Sequence, residues 1–186
     1  MYPITELDKF DLIFKTINID DFEAIKSFKC GNSSIERFLQ QDAYYTTIDL
    51  KASTNLVYLQ NVLVGYFTLK RTKLKLDTEG LDIDIDDIEL VNNFYCIEVA
   101  RLAVTNDFQH KGIGRQIIHN ITRIARTVNE RFISLDALYE NLDWYEKIGF
   151  EPFIKEEASM KNNEGLVYMV MDLYDPELVD RFLEDN

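Results

Sequence analysis

"RLAVTNDFQHKGIGRQI", residues 101–117, sets a strand-like run, a polar turn, two close glycines and the start of an apolar-striped helix in direct succession. A strand ending at Val104, then Gln109-His110-Lys111-Gly112-Ile113-Gly114, then a helix, is an arrangement suited to holding phosphate. Glycine lets the backbone approach a ligand closely and take conformations that other residues avoid. The free N–H groups of a first helical turn, together with the helix dipole, attract an anion. Lys111 and Arg115 add positive charge beside the same turn. Beyond it Ile113, Ile117, Ile118, Ile121, Ile124, Ala125 and Val128 form one stripe, so the helix has an apolar face with which to anchor the turn.

The rest of the chain reads outward from that stretch. "FDLIFKTI" (10–17) predicts a first strand. Helical segments follow near 20–28 and from Ser33, as N-cap, to Thr46. "NLVYLQNVLVGYFTLK" predicts a hairpin turning at Gln60-Asn61 with a bulge at Gly65. "FYCIEVARLAV" (94–104) is apolar enough for a central strand. "FISLDAL" and "GLVYMVMDL" are further strands, with "ENLDWYEKI" a short helix. The order β, α, α, β, β, β, α, β, α, β, β argues a single α/β domain over residues 1–186.

Composition excludes several classes. The 186 residues are 46% apolar with three prolines, unlike a disordered or fibrous chain. "MYPITELDKFDLIF" has acids where a signal peptide needs positive charge, and no run reaches the roughly 20 apolar residues of a membrane helix. Cys30 and Cys96 are too few for a disulfide framework, which suits reduced thiols in the cytoplasm. With only His110 and His119 besides, no metal site of standard spacing is expected. The net charge of −13 disfavours broad nucleic-acid binding and favours cationic substrates. Seven of the acids fall between Asp77 and Glu89 without a basic residue, either as a solvated loop or as an electronegative lip near an amine site.

The turn lacks the GxxxxGK[ST] and GxGxxG spacings, which sets aside P-loop and dinucleotide folds. Gln109-x-x-Gly112-x-Gly114, preceded by "EVARLAVTNDF" and followed by an amphipathic helix, resembles the acyl-CoA loop of the GCN5-related N-acetyltransferases, the GNAT superfamily. "NLDWYEKIGF" (141–150) resembles the closing motif of that superfamily. The likeness runs from about residue 10 to 173. "FKCGNSSIERFLQQDA" (28–43) and "VARLAVTNDFQHKGIGRQI" look like a subfamily that includes bacterial toxins acetylating the amino group of aminoacyl-tRNA. Those toxins tend to carry basic residues where this chain has Asp82, Asp84, Asp86, Asp87 and Glu89.

The resemblance implies a mixed sheet of six to seven strands with flanking helices, split between the fourth and fifth strands. It implies acetyl-CoA as acyl donor, with no metal, and direct transfer to an amine. Gln109, His110, Lys111, Gly112, Ile113, Gly114 and Arg115 would hold the pyrophosphate. The backbone of Leu102, Ala103 and Val104 would meet the pantetheine arm and polarise the thioester, and Asn141 would either bond that arm or cap its own helix. Tyr145 is the candidate general acid that protonates the departing thiolate, against a place in the core. Glu98 is the candidate base, against an ion pair with Arg101. Trp144 reads as packing or a pocket wall, Cys96 as a small buried residue, and both histidines as surface or boundary residues. The expected acceptor is a primary amine of a small molecule or peptide, with aminoacyl-tRNA as the alternative and a non-catalytic CoA-binding protein as the rival. A homodimer and a small antitoxin are the protein partners the resemblance allows.

Overall fold

The computed structural model describes residues 10–75, 95–153 and 165–174. The acidic stretch 77–89 lies outside them. Contacts divide the chain into two compact units, Met1–Thr72 with Ile97–Arg123, and Lys73–Cys96 with Ile124–Asn186.

The first unit carries β1 (Leu12–Thr16), α1 (Phe22–Lys26), α2 (Ser33–Gln41), α3 (Ala43–Ile48), β2 (Ser53–Leu59), β3 (Val62–Lys73), most of β4 (Tyr95–Val104) and the start of α4 (Ile113–Thr127). Its strands run in the order β1-β2-β3-β4. β1 pairs antiparallel with β2 from Leu12↔Leu59 to Thr16↔Asn55. The hairpin between β2 and β3 turns at Gln60 and Asn61, whose φ values of 48° and 67° match the twist of the flanking strands. Val57 faces Gly65 while Tyr58 faces Leu63, so the bulged residue is Val64, one position before the expected Gly65. Gly65 is required by closeness rather than by dihedral. A Cβ there would lie 2.8 Å from the Ala103 carbonyl oxygen of β4 and 3.3 Å from Ile117 Cδ1 of α4. Residues 63–69 of β3 are all buried, as a strand covered on both faces demands.

Ile17, Ile25, Phe28, Phe38, Leu39, Leu56, Tyr66 and Ala103 build the core of this unit. Two helix expectations are corrected. The N-cap of α2 is Asn32, not Ser33: its Oδ1 accepts from the N–H groups of Ser34 and Ile35. The single helix expected over 33–46 is two helices, broken at Asp42 (φ −112°), which lets Ala43 enter the core and Thr47 Oγ1 accept from the Thr54 N–H. Val128, read as part of the α4 stripe, lies past the helix end and is exposed, whereas Ile113, Ile117, Ile118, Ile121 and Ala125 are buried.

The second unit carries β5 (Phe132–Leu138), α5 (Leu142–Glu146), β6 (Glu151–Pro152) and β7 (Leu166–Asp172), with strands in the order β5-β7-β6. β5 pairs antiparallel with β7 from Phe132↔Asp172 to Leu138↔Leu166. Seven strands are thus present among the described residues, in the mixed α/β class expected. Among these residues no helix is long and apolar enough to cross a membrane.

Candidate active site

The glycine turn is a tight, open bend ahead of α4. Gly112 has φ +95° and His110 φ +59°, so the chain doubles back just before α4. A Cβ on Gly112 would meet no atom within 4 Å, so the space above the turn is open. The N–H groups of His110, Lys111 and Gly112 have no acceptor among the described residues. The first turn of the 15-residue α4 adds its own unpaired donors. Lys111 and Arg115 are exposed and have no carboxylate partner among the described residues, Lys111 lying 5.1 Å from the Phe108 ring. Unpaired donors, open space and two neighbouring exposed cations are the kind of arrangement that suits a pyrophosphate.

Gln109 belongs to the foundation of that turn. Its Nε2 donates to the carbonyls of Val104 and Cys30, each at 3.0 Å. The Asn106 N–H donates to the Lys29 carbonyl at 2.9 Å. The segment before α2 therefore grips the glycine turn, and the Val104 carbonyl is already engaged.

On β4, Glu98 is partly buried, with Lys70 Nζ 3.9 Å from its carboxylate. Arg101, expected as the rival partner of Glu98, instead lays its guanidinium over the Phe38 ring at 3.6 Å. Glu98 is thus a carboxylate with a cationic neighbour on β3.

The second unit holds the other candidate. Tyr145 sits near the end of α5, where the chain closes a Schellman motif: the Phe150 N–H donates to the Tyr145 carbonyl at 3.1 Å and the Gly149 N–H to that of Glu146 at 3.0 Å. Gly149 has φ +101°, and the Phe150 ring packs edge-on against Tyr145 at 5.7 Å. This is why Gly-Phe follows the tyrosine: glycine supplies the left-handed residue and phenylalanine the apolar contact that locks the turn. The Trp144 ring also packs edge-on against Tyr145, at 4.7 Å. Burial pushes the Tyr145 phenol up to about 12, and its hydroxyl has no hydrogen-bond partner among the described residues. The phenol is therefore protonated near neutral pH and keeps its proton available to donate.

Asn141 occupies the N-cap position of α5, yet its side chain makes no capping bond and is exposed. His110 is exposed and His119 is half-buried on α4. Cys96 is fully buried beside Ser134 Oγ at 3.2 Å, as a small core residue would be. No cluster of metal-ligating side chains occurs among the described residues.

A family model described as an acetyltransferase (GNAT) domain matches residues 55–152. The chain belongs to the GNAT family. It is an N-acetyltransferase by that membership, and the matched stretch includes both the glycine turn and the Gly-Phe helix end. Three solved structures illustrate the fold. AtaTR bound with AcCoA has 16% identity and a TM-score of 0.67, over 91% of this chain and 98% of that one. AtaT complexed with acetyl-methionyl-tRNAfMet has 17% identity and a TM-score of 0.64, over 93% and 99%. A Tyr-to-Phe variant of KacT has 17% identity and a TM-score of 0.66, over 92% and 98%. No curated protein matches the chain.

Two contacts around the candidate residues escaped sequence reasoning. Lys70 is four residues beyond Tyr66 in β3 and declares itself only through its approach to Glu98. The grip of residues 29–31 on the glycine turn joins segments 79 residues apart, with no local signal beyond the glycine at position 31.

Proposed function

We propose that this chain transfers acetyl from acetyl-CoA to the amino group of an aminoacyl-tRNA, in the manner of the toxin-type GNAT enzymes. The observation that carries the choice of acceptor is the likeness over 93% of this chain to AtaT complexed with acetyl-methionyl-tRNAfMet. Local charge agrees with it. Lys70, Arg71, Lys73 and Lys75 are exposed within six residues at and just past the end of β3, a basic run on an otherwise acidic chain, with Lys70 near Glu98 and Lys75 bonded to Asp136.

Bound acetyl-CoA supplies an activated acetyl group as a thioester. Residues Gln109 to Arg115 hold its pyrophosphate, and the β4 backbone around Leu102 to Val104, with Asn141, guides its arm. Glu98 accepts the proton that the amine must lose to attack, directly or through water. Tyr145 donates its phenolic proton to the sulfur as the carbon–sulfur bond breaks, and no covalent enzyme intermediate is needed. A small antitoxin, as in the structure of AtaT bound to the C-terminus of AtaR, is the protein partner this reading implies, and the cytoplasm is where its acceptor is found.

A second reading, acetylation of a small-molecule or peptide amine, is favoured by the net charge of −13, which draws cations and repels phosphate. Release of CoA measured against charged tRNA, peptides, aminoglycosides and polyamines separates the two. Turnover with charged tRNA alone supports the first, and turnover with a polyamine or aminoglycoside but not with tRNA overturns it.

A further inference from the structure

Glu36 is one of the few buried charged residues among those described, at 9% exposure, and nothing in the mechanism uses it. It stands one turn into α2, whose N-cap is already provided by Asn32, so it is not a helix cap. Its carboxylate folds back over the loop that precedes the helix. Oε1 accepts from the Cys30 N–H at 2.9 Å and the Gly31 N–H at 3.1 Å, and Oε2 accepts from Lys29 Nζ at 2.9 Å.

The two peptide groups it holds are the ones that grip the cofactor loop. The peptide joining Lys29 to Cys30 donates its N–H to Glu36 and accepts the Asn106 N–H on its carbonyl. The next, joining Cys30 to Gly31, donates its N–H to Glu36 and accepts Gln109 Nε2 on its carbonyl. Each peptide is thus bonded at both ends, to a carboxylate on one side and to the cofactor loop on the other. Bonds in such a series polarise and orient one another. Gly31 permits the geometry with φ +83°, and a Cβ there would reach Asn106 Oδ1 at 3.4 Å.

We infer that Glu36 is a positioning residue for acetyl-CoA: through the peptides of residues 29–31 it fixes Asn106 and Gln109, and so the turn that receives the pyrophosphate. It touches neither substrate nor reacting atoms. Its effect belongs in acetyl-CoA affinity and not in the chemical step. This deepens the reading of Gln109–Gly114 as the cofactor loop and rests on it.

The test is acetyl-CoA titration by calorimetry, with steady-state kinetics on whichever acceptor the parent acetylates. Glu36→Ala removes both backbone bonds and should raise Kd and KM for acetyl-CoA about tenfold or more, with kcat at saturating acetyl-CoA within about twofold. Glu36→Gln keeps a carbonyl oxygen for the two N–H groups and should recover most of the affinity. Lys29→Met, which leaves both backbone bonds in place, should stay near the parent. Gly31→Ala strains the same peptides from the other side and should weaken binding as Glu36→Ala does, which keeps the test open should Glu36→Ala fold poorly. If the route is as inferred, adding Gln109→Leu to Glu36→Ala costs less affinity than Gln109→Leu alone. Unchanged affinity in folded Glu36→Ala or Gly31→Ala overturns the inference, as does full additivity or a fall confined to kcat. A parent that binds no acetyl-CoA overturns the cofactor reading with it.

Discussion

Replacing Tyr145 by phenylalanine isolates one atom. The ring keeps its edge-on contacts with Trp144 at 4.7 Å and Phe150 at 5.7 Å, and the backbone bonds that end α5 involve the carbonyl, not the side chain. The lost hydroxyl has no hydrogen-bond partner among the described residues, so no bond is broken and stability should change by no more than about 0.5 kcal/mol. Acetyl-CoA affinity should likewise survive. If the phenol protonates the departing sulfur, kcat should fall roughly 10²–10⁴-fold, equivalent to about 2.7–5.4 kcal/mol of lost barrier reduction at 1.36 kcal/mol per decade. The assay is release of CoA under saturating acetyl-CoA, with calorimetry of the same variant to show that binding is intact. Because burial holds the phenol up to about 12, it stays protonated across the working range, and the parent should show no alkaline loss of kcat attributable to it below about pH 10. An unchanged kcat in a folded variant that binds acetyl-CoA would return Tyr145 to the core and refute the assignment.

The remaining predictions concern the turn, the helix end and the sheet. Gly112→Val should weaken acetyl-CoA binding steeply, because the side chain fills the open space over the turn and suffers the positive φ of +95°; calorimetry showing parental affinity would refute it. Gly149→Ala should cost about 1–2 kcal/mol from its φ of +101° alone, since the added Cβ meets only Met171 Cε at an ordinary 3.5 Å; thermal melts should show a Tm roughly 2–8 °C lower, and no shift would refute the strain argument. For Asp172, burial alone would raise the carboxyl's pKa, but the Arg131 guanidinium and the Tyr174 N–H outweigh it and hold the group below its ordinary value. Its stabilising effect is therefore present above about pH 4 and disappears as pH falls through the lower folded value. Arg131→Met should lose under about 1 kcal/mol at pH 7, because both partners are well exposed, and the gap from the parent should narrow in melts toward pH 2; a gap that stays constant would refute the linkage.

What the sequence determined by itself was the set of features governed by neighbours a few residues apart. The glycine turn and the stripe from Ile113 to Ala125 are local because a helix repeats every three to four residues and its first N–H groups are always unpaired. The Gln60-Asn61 turn and the Gly149-Phe150 stop are local because each depends on one or two residues that tolerate positive φ or close a short loop. The cap of α2 sits at the limit of this kind of reading: Ser33 and Asn32 are both good caps, and only the backbone at Asn32 (φ −122°, ψ 106°) decides between them. Tertiary structure alone decided the rest. Strand alternation could weaken an ion pair between Glu98 and Arg101, but it could not supply Lys70 or the Phe38 ring, which come from other elements. Nor could it show that Gln109 donates its amide to the Cys30 carbonyl, because that bond closes a loop of 79 residues. Such partners meet only after burial of the shared core has met the entropy cost of bringing them together, and no short window of sequence carries that information.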